Sequence, residues 1–211
     1  MTSLRVRHAA LQHLRSRDPV LRQLVDEVGP FTLRIERDRF LALVRSIISQ
    51  QISTGAARAI RLRLEQLAAP ARICPESLVA LEPVALRSAG LSPQKVTYVL
   101  DLARKSLNGT VSLRAMGRCS DEVVIERLTQ VRGIGRWTAQ MFLIFSLGRL
   151  DVFPEDDLGV RSAIRNLYGL DELPDKATSR TIAEAWRPYA SVASWYCWRS
   201  LDLARKKGSA G

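Results

Sequence analysis

The chain has 211 residues, room for one globular unit or two small lobes. Hydrophobic residues make up 46%, which excludes a wholly disordered chain, and 32 Lys and Arg against 21 Asp and Glu leave a formal net charge of +11, which favours a polyanionic partner. Apolar runs such as 141–145 fall far short of the roughly 18 residues of a membrane-spanning helix, and the N-terminal segment has no apolar signal core, so a cytoplasmic protein with no membrane partner is expected.

The pattern is helical almost throughout. Residues 4–17 carry apolar side chains at helical spacing, and Asp18-Pro19 opens a second short helix to residue 28. Residues 31–35 alternate and are read as a short extended stretch. Residues 38–52 form a strongly apolar helix, and 54–67 a basic amphipathic one carrying Arg58, Arg61 and Arg63. Short helices follow at 75–81 and 84–88, the second ended by Gly90. Ser92-Pro93 starts a helix that Asn108-Gly109 stops after residue 107. Ser120, Asp121 and Glu122 open the next, with acidic residues at its positive end. Residues 128–135 form a turn, 136–147 a very apolar helix, and helices at 157–168, 176–186 and 191–206 complete an all-α chain. The tail 206–211 is expected to fray. No strand–helix alternation supports a parallel sheet.

Cys74, Cys119 and Cys197 lie far apart and form no CxxC pair, which argues against zinc or an iron–sulfur cluster. His8 and His13 are the only histidines, which argues against a His-based nucleophilic triad.

The informative turn is Val131-Arg132-Gly133-Ile134-Gly135-Arg136-Trp137-Thr138. Glycine tolerates positive φ and lets a phosphate approach the backbone, and the N–H groups that open the next helix suit an anion. An ordinary tight helix–helix turn would use the same glycines, so Gly-x-Gly alone does not decide. The surroundings add information. Leu128-x-x-x-x-Gly133-Ile134-Gly135-x-x-Thr138-Ala139 resembles the helix-hairpin-helix of DNA repair glycosylases. The segment 151–161, with Pro154 and the acids Glu155, Asp156 and Asp157, resembles the catalytic loop of the same superfamily. The segments Ile47-Ile48-Ser49-Gln50-Gln51-Ile52-Ser53, Gly90-Leu91-Ser92-x-x-Lys95, Trp186-Arg187-Pro188-Tyr189 and Trp195-Tyr196-x-Trp198 agree. Together they resemble the HhH-GPD superfamily, and within it the AlkA-type 3-methyladenine DNA glycosylase II family.

That resemblance implies a two-lobed all-α fold without an additional N-terminal β domain. One lobe would span 41–145 and the other 1–40 with 146–211, with the catalytic Asp and the hairpin facing the cleft between them. It implies excision of alkylated bases such as 3-methyladenine and 7-methylguanine from duplex DNA, by a monomer. Related lesion preferences (hypoxanthine, uracil, 1-methyladenine) and a non-catalytic DNA-binding module are the alternatives.

Among the three acids the resemblance selects Asp157 as catalytic, with Asp156 as the alternative and an N-cap as the plain structural role. A carboxylate near the sugar stabilises positive charge in the transition state and can activate water, with no required cofactor. Trp137 stands where lyase-competent relatives carry a Lys, which implies hydrolysis without strand cleavage. Trp137, Trp198 and Met141 are implied to line the base pocket; Met141 replaces a Tyr and makes it less aromatic. Trp195 and Tyr196 are read as core or secondary lining. Gln51 is implied to plug the duplex with Gln50 beside it. Gly133, Gly135, Thr138, Arg136 and Lys95 are implied to meet DNA, with Arg58 either a further backbone contact or solvated surface. The carbonyls of Thr129, Val131 and Ile134 are implied to suit a monovalent cation, Na or K.

Overall fold

The computed structural model describes residues 4–208. Among them are twelve α-helices and no strand, an all-α fold. The chain separates into two compact units: the N-terminal residues through Ile35 together with Leu147 onward, and Glu36–Ser146.

In the first unit, α1 (Leu4–Arg17), α2 (Pro19–Val28), α10 (Leu158–Tyr168), α11 (Lys176–Ala183) and α12 (Ala190–Gly208) surround one core. Asp18 caps α2, accepting the N–H groups of Val20 (2.9 Å) and Leu21 (3.1 Å). Its other oxygen accepts the Trp186 indole N–H at 3.0 Å and the Tyr168 hydroxyl. Burial and the Asp18 charge push the Tyr168 hydroxyl far above the usual tyrosine range. Trp195 and Tyr196 are buried, and Phe31 packs edge-on to Trp195 with ring centres 5.1 Å apart. Trp186 is fully buried and belongs to this core. The residues 31–35 read as extended pair with no strand. Helix α12 continues through Gly208, so the tail expected to fray is ordered for three residues of its length; 209–211 lie outside the described residues.

The second unit contains α3 (Arg39–Ser49), α4 (Thr54–Ala68), α5 (Pro75–Val79), α6 (Pro83–Ser88), α7 (Pro93–Leu107), α8 (Asp121–Thr129) and α9 (Arg136–Phe142). Asp38, Ser53 and Ser92 each accept a first-turn N–H and cap α3, α4 and α7. Leu43, Val44, Ile47, Leu64, Val99 and Leu102 are almost fully buried and form the centre. Each such side chain contributes roughly 1.5–3 kcal/mol of transfer energy. Past Phe142 the helix widens into a π turn over Leu143–Leu147, and Gly148, at φ +69°, ends it. No helix among the described residues is long and apolar enough to cross a membrane.

Candidate active site

The hairpin in the second unit is built by conformational demand. Helix α8 ends at Thr129, and the chain turns as Val131 N–H donates to Leu128 O (3.0 Å) and Ile134 N–H to Val131 O (3.1 Å). Ile134 is 4% exposed and anchors the loop in the core. Gly133 sits at φ +80°, and a Cβ there would fall 2.1 Å from the Tyr98 ring, so backbone angle and space each require glycine. Gly135 differs: φ is −92° and nothing lies within 4 Å of its Cβ position. Its missing side chain leaves open the backbone that leads into α9.

Helix α7 pins the turn. Asp101 accepts the Arg132 N–H and the Lys105 ammonium, both at 2.8 Å, and Lys105 also donates to Gln130 O. Burial alone would raise Asp101, but the Lys105 and Arg132 donors outweigh it and hold the carboxyl below its ordinary value. The sequence shows Asp101 and Lys105 four apart on a helix, but not that both reach the hairpin.

The helix before the expected plug ends earlier than its sequence reading. Helix α3 stops at Ser49, not at the expected 52, because the chain reverses through Gln51 at φ +56°. Gln51 is the one non-glycine with positive φ among the described residues, and it is exposed. Gln50 caps the helix, and its side-chain amide donates to Gly133 O at 2.9 Å. Lys95, expected at a DNA phosphate, donates instead to Ile48 O and Gln50 O, both at 2.6 Å. Those carbonyls are the orphaned acceptors of the α3 C-terminus, so Lys95 serves as its cap. Partial burial pushes its ammonium below the ordinary lysine range.

A cavity of about 400 Å³ opens in this unit between α3, α4 and α9. Met141 lines it, with Ser46 and Ser49 of α3 and with Phe142 and Phe145. The wall is thus more aromatic than Met141 alone implies; the four-residue step from Met141 to Phe145 on one helical face is the signal that could have shown it. Thr138, expected at a phosphate, is 5% exposed and forms part of this wall. Arg58 is exposed at the cavity edge. Trp137 is 41% exposed and not part of that wall. Arg136 forms a forked ion pair with Glu122 (2.7 and 3.0 Å), which holds the Glu122 carboxyl below its ordinary value.

The acidic loop belongs to the first unit and is held by side chains. Val152 N–H donates to Ser191 Oγ at 2.9 Å, and Asp151 pairs with Arg187 at 3.0 Å. Its three acids have separate partners. Glu155 pairs with Arg180 at 2.7 Å and Asp156 with Lys176, both bases on α11. Asp157 is 7% exposed and caps α10, accepting the Val160 N–H at 2.7 Å. The same Oδ1 accepts the Trp198 indole N–H at 3.0 Å. Burial pushes the neighbouring Cys197 thiol up, and the charges of Asp18 and Asp157 add to the shift. Asp157 and Trp198 are thus brought together within one unit, and Gln50, Lys95 and the hairpin within the other. Among the described residues no group of three or more His, Cys, Asp or Glu could hold a metal ion.

The chain is similar to known proteins in sequence and in fold. Residues 44–188 match the model of the HhH-GPD superfamily base excision DNA repair protein. DNA-3-methyladenine glycosylase 1 of Schizosaccharomyces pombe is 34% identical over 197 residues, 91% of this chain and 86% of that protein. The solved structure of the Schizosaccharomyces pombe 3-methyladenine DNA glycosylase Mag1 in complex with abasic DNA matches with a TM-score of 0.85 at 34% identity, covering 93% of this chain and 98% of that one. A DNA-3-methyladenine glycosidase from Bacillus halodurans matches with a TM-score of 0.83 at 37% identity, covering 90% and 88%.

Proposed function

The chain belongs to the HhH-GPD superfamily of base excision DNA repair proteins, and from that premise we propose that it is a DNA glycosylase. It flips an alkylated base of the 3-methyladenine or 7-methylguanine type out of duplex DNA and releases it by hydrolysis, leaving an abasic site. The observation that carries this reading is Asp157: a buried carboxylate at a helix start, held by two N–H donors on one oxygen.

As the N-glycosidic bond lengthens, positive charge grows on the deoxyribose. Asp157 stabilises that charge and orients or deprotonates the water that attacks C1′. An alkylated cationic base departs without a strong general acid, which suits a site with no histidine. Trp137 stands two residues past Gly135 and no lysine occupies that place, which supports hydrolysis without Schiff-base lyase chemistry. The N–H groups of Gly133 and of the open Gly135 meet a phosphate and fix register without reading sequence. The exposed Gln51 fills the hole left by the flipped nucleotide. Trp198, bonded to Asp157, stacks on the extrahelical base. Val131 O already accepts one N–H, so a monovalent cation at the hairpin would share that oxygen with the turn and draw on Thr129 O and Ile134 O; no step depends on it.

The test is single-turnover release of 7-methylguanine and 3-methyladenine from methylated duplex DNA, wild type against Asp157→Asn. A loss of about 10²–10³-fold is expected, the scale of removing one transition-state stabiliser. Release at the wild-type rate would end the assignment. Efficient borohydride trapping of a protein–DNA adduct would contradict the hydrolytic route.

A further inference from the structure

The resemblance gives Trp198 one task, a flat wall for a flipped base. The structure gives its edge another: Nε1–H donates to Asp157 Oδ1 at 3.0 Å. We infer that Trp198 is a positioning residue that fixes the Asp157 carboxylate through its indole N–H, and that Gly159 is glycine to let the indole reach it. The inference rests on Asp157 being the catalytic carboxylate.

The N-cap bond from Val160, at 2.7 Å, ties Oδ1 to the backbone of α10. A second donor on the same oxygen, from a different helix, fixes its plane, and bonds to an ionised acceptor are the stronger kind. Helix α12 is a rigid source for that donor, since Trp195, Tyr196 and Cys197 just before it are all buried. Gly159 adds independent support. Its φ is not in the left-handed region, so backbone angle does not require glycine there. Space does. A Cβ would lie 3.0 Å from Asp157 Oδ1, 3.3 Å from Trp198 Cδ1 and 3.4 Å from Trp198 Nε1, against the two groups that bond each other. The glycine and the indole edge are one device.

The test is a double-mutant cycle on single-turnover release of 7-methylguanine at saturating enzyme. Trp198→Phe keeps an aromatic face and deletes the N–H. It should lower the rate about 10–100-fold, the scale of a hydrogen bond to a charged group, with binding to duplex DNA holding an abasic-site analogue unchanged. In an Asp157→Asn background the same change should cost nothing further, because its route to the reaction runs through the carboxylate. An equal loss in both backgrounds would mean that Trp198 acts by stacking, and the inference would fall while the glycosylase reading stood. An Asp157→Asn enzyme at the wild-type rate would instead remove that reading itself. Should Trp198→Phe not fold, Gly159→Ala keeps both groups and wedges them apart. It should slow release and move the Trp198 indole N–H resonance upfield in a ¹H–¹⁵N spectrum. An unchanged rate and resonance would overturn the inference.

Discussion

The hairpin around Gly133 and the loop around Asp157 are both short turns that open a helix, yet they are made by different physics. The hairpin is a shape: Gly133 at φ +80° against the Tyr98 ring, Ile134 anchored below, and Asp101 gripping the Arg132 N–H. The phosphate contact proposed for it would use main-chain atoms that any residue possesses. The acidic loop is a sorting of charge, in which three consecutive carboxylates receive three sets of partners and only Asp157 is buried among N–H donors. A backbone device tolerates little change in geometry. A side-chain device tolerates little change in chemistry.

Alanine at the two hairpin glycines should break that comparison open most visibly. Gly133→Ala forces positive φ on a Cβ and drives it into Tyr98, and should destabilise the protein by about 3 kcal/mol or more, read as a lower thermal midpoint. Gly135→Ala meets nothing within 4 Å and should leave the thermal midpoint unchanged while weakening binding to duplex DNA. Equal melting of the two variants would mean that shape does not govern the turn. In the acidic loop, Asp157→Ala removes the α10 cap and the acceptor of the Trp198 N–H, for a cost of about 2 kcal/mol in urea unfolding. Asp157→Asn retains a capping oxygen and should keep most of that stability while losing base release. Activity and stability then separate at one position, between its two substitutions.

Asp101 comes next in size. Its folded carboxyl is held below its ordinary value, so its contribution is present above the unfolded aspartate range, about pH 4, and is lost as pH falls through the folded value. Asp101→Asn should therefore cost about 1 kcal/mol at neutral pH and flatten the acid side of the stability curve. An unaltered acid limb would show that the Lys105 and Arg132 contacts do not stabilise the turn.

The two regions also differ in what their sequences disclose. Helix positions followed from apolar spacing and from the starts at Asp18-Pro19 and Ser92-Pro93, because those signals are local. The Gly-x-Gly turn was legible for the same reason. Contacts across the chain were not. Nothing in the string of letters says that Tyr98 overlies Gly133, that Lys95 caps α3, or that Gly159 makes room for Trp198. The early stop of α3 was hidden too, since Gln50 and Gln51 are good helix formers and only tertiary bonds from Lys95 and to Gly133 make the reversal stable. Choosing Asp157 over Asp156 required family resemblance, because the three adjacent acids look alike in sequence.

The smallest expected effect tests that choice most directly. Glu155 and Asp156 are paired with Arg180 and Lys176, whose side chains are 58% and 50% exposed, and exposed pairs contribute about 0–1 kcal/mol. Glu155→Gln and Asp156→Asn should each shift stability by less than about 1 kcal/mol. Base release should stay close to wild type, since neither carboxylate is held by the Val160 and Trp198 donors that fix Asp157. The charge at the loop falls by one unit in each of these variants, as it does in Asp157→Asn. If base release depends on the total negative charge of the loop, all three should suffer alike. If it depends on one oriented carboxylate, only Asp157→Asn should. A large loss in Asp156→Asn would mean that sorting by burial and donors had picked the wrong acid, and would move the catalytic assignment one residue toward the N-terminus.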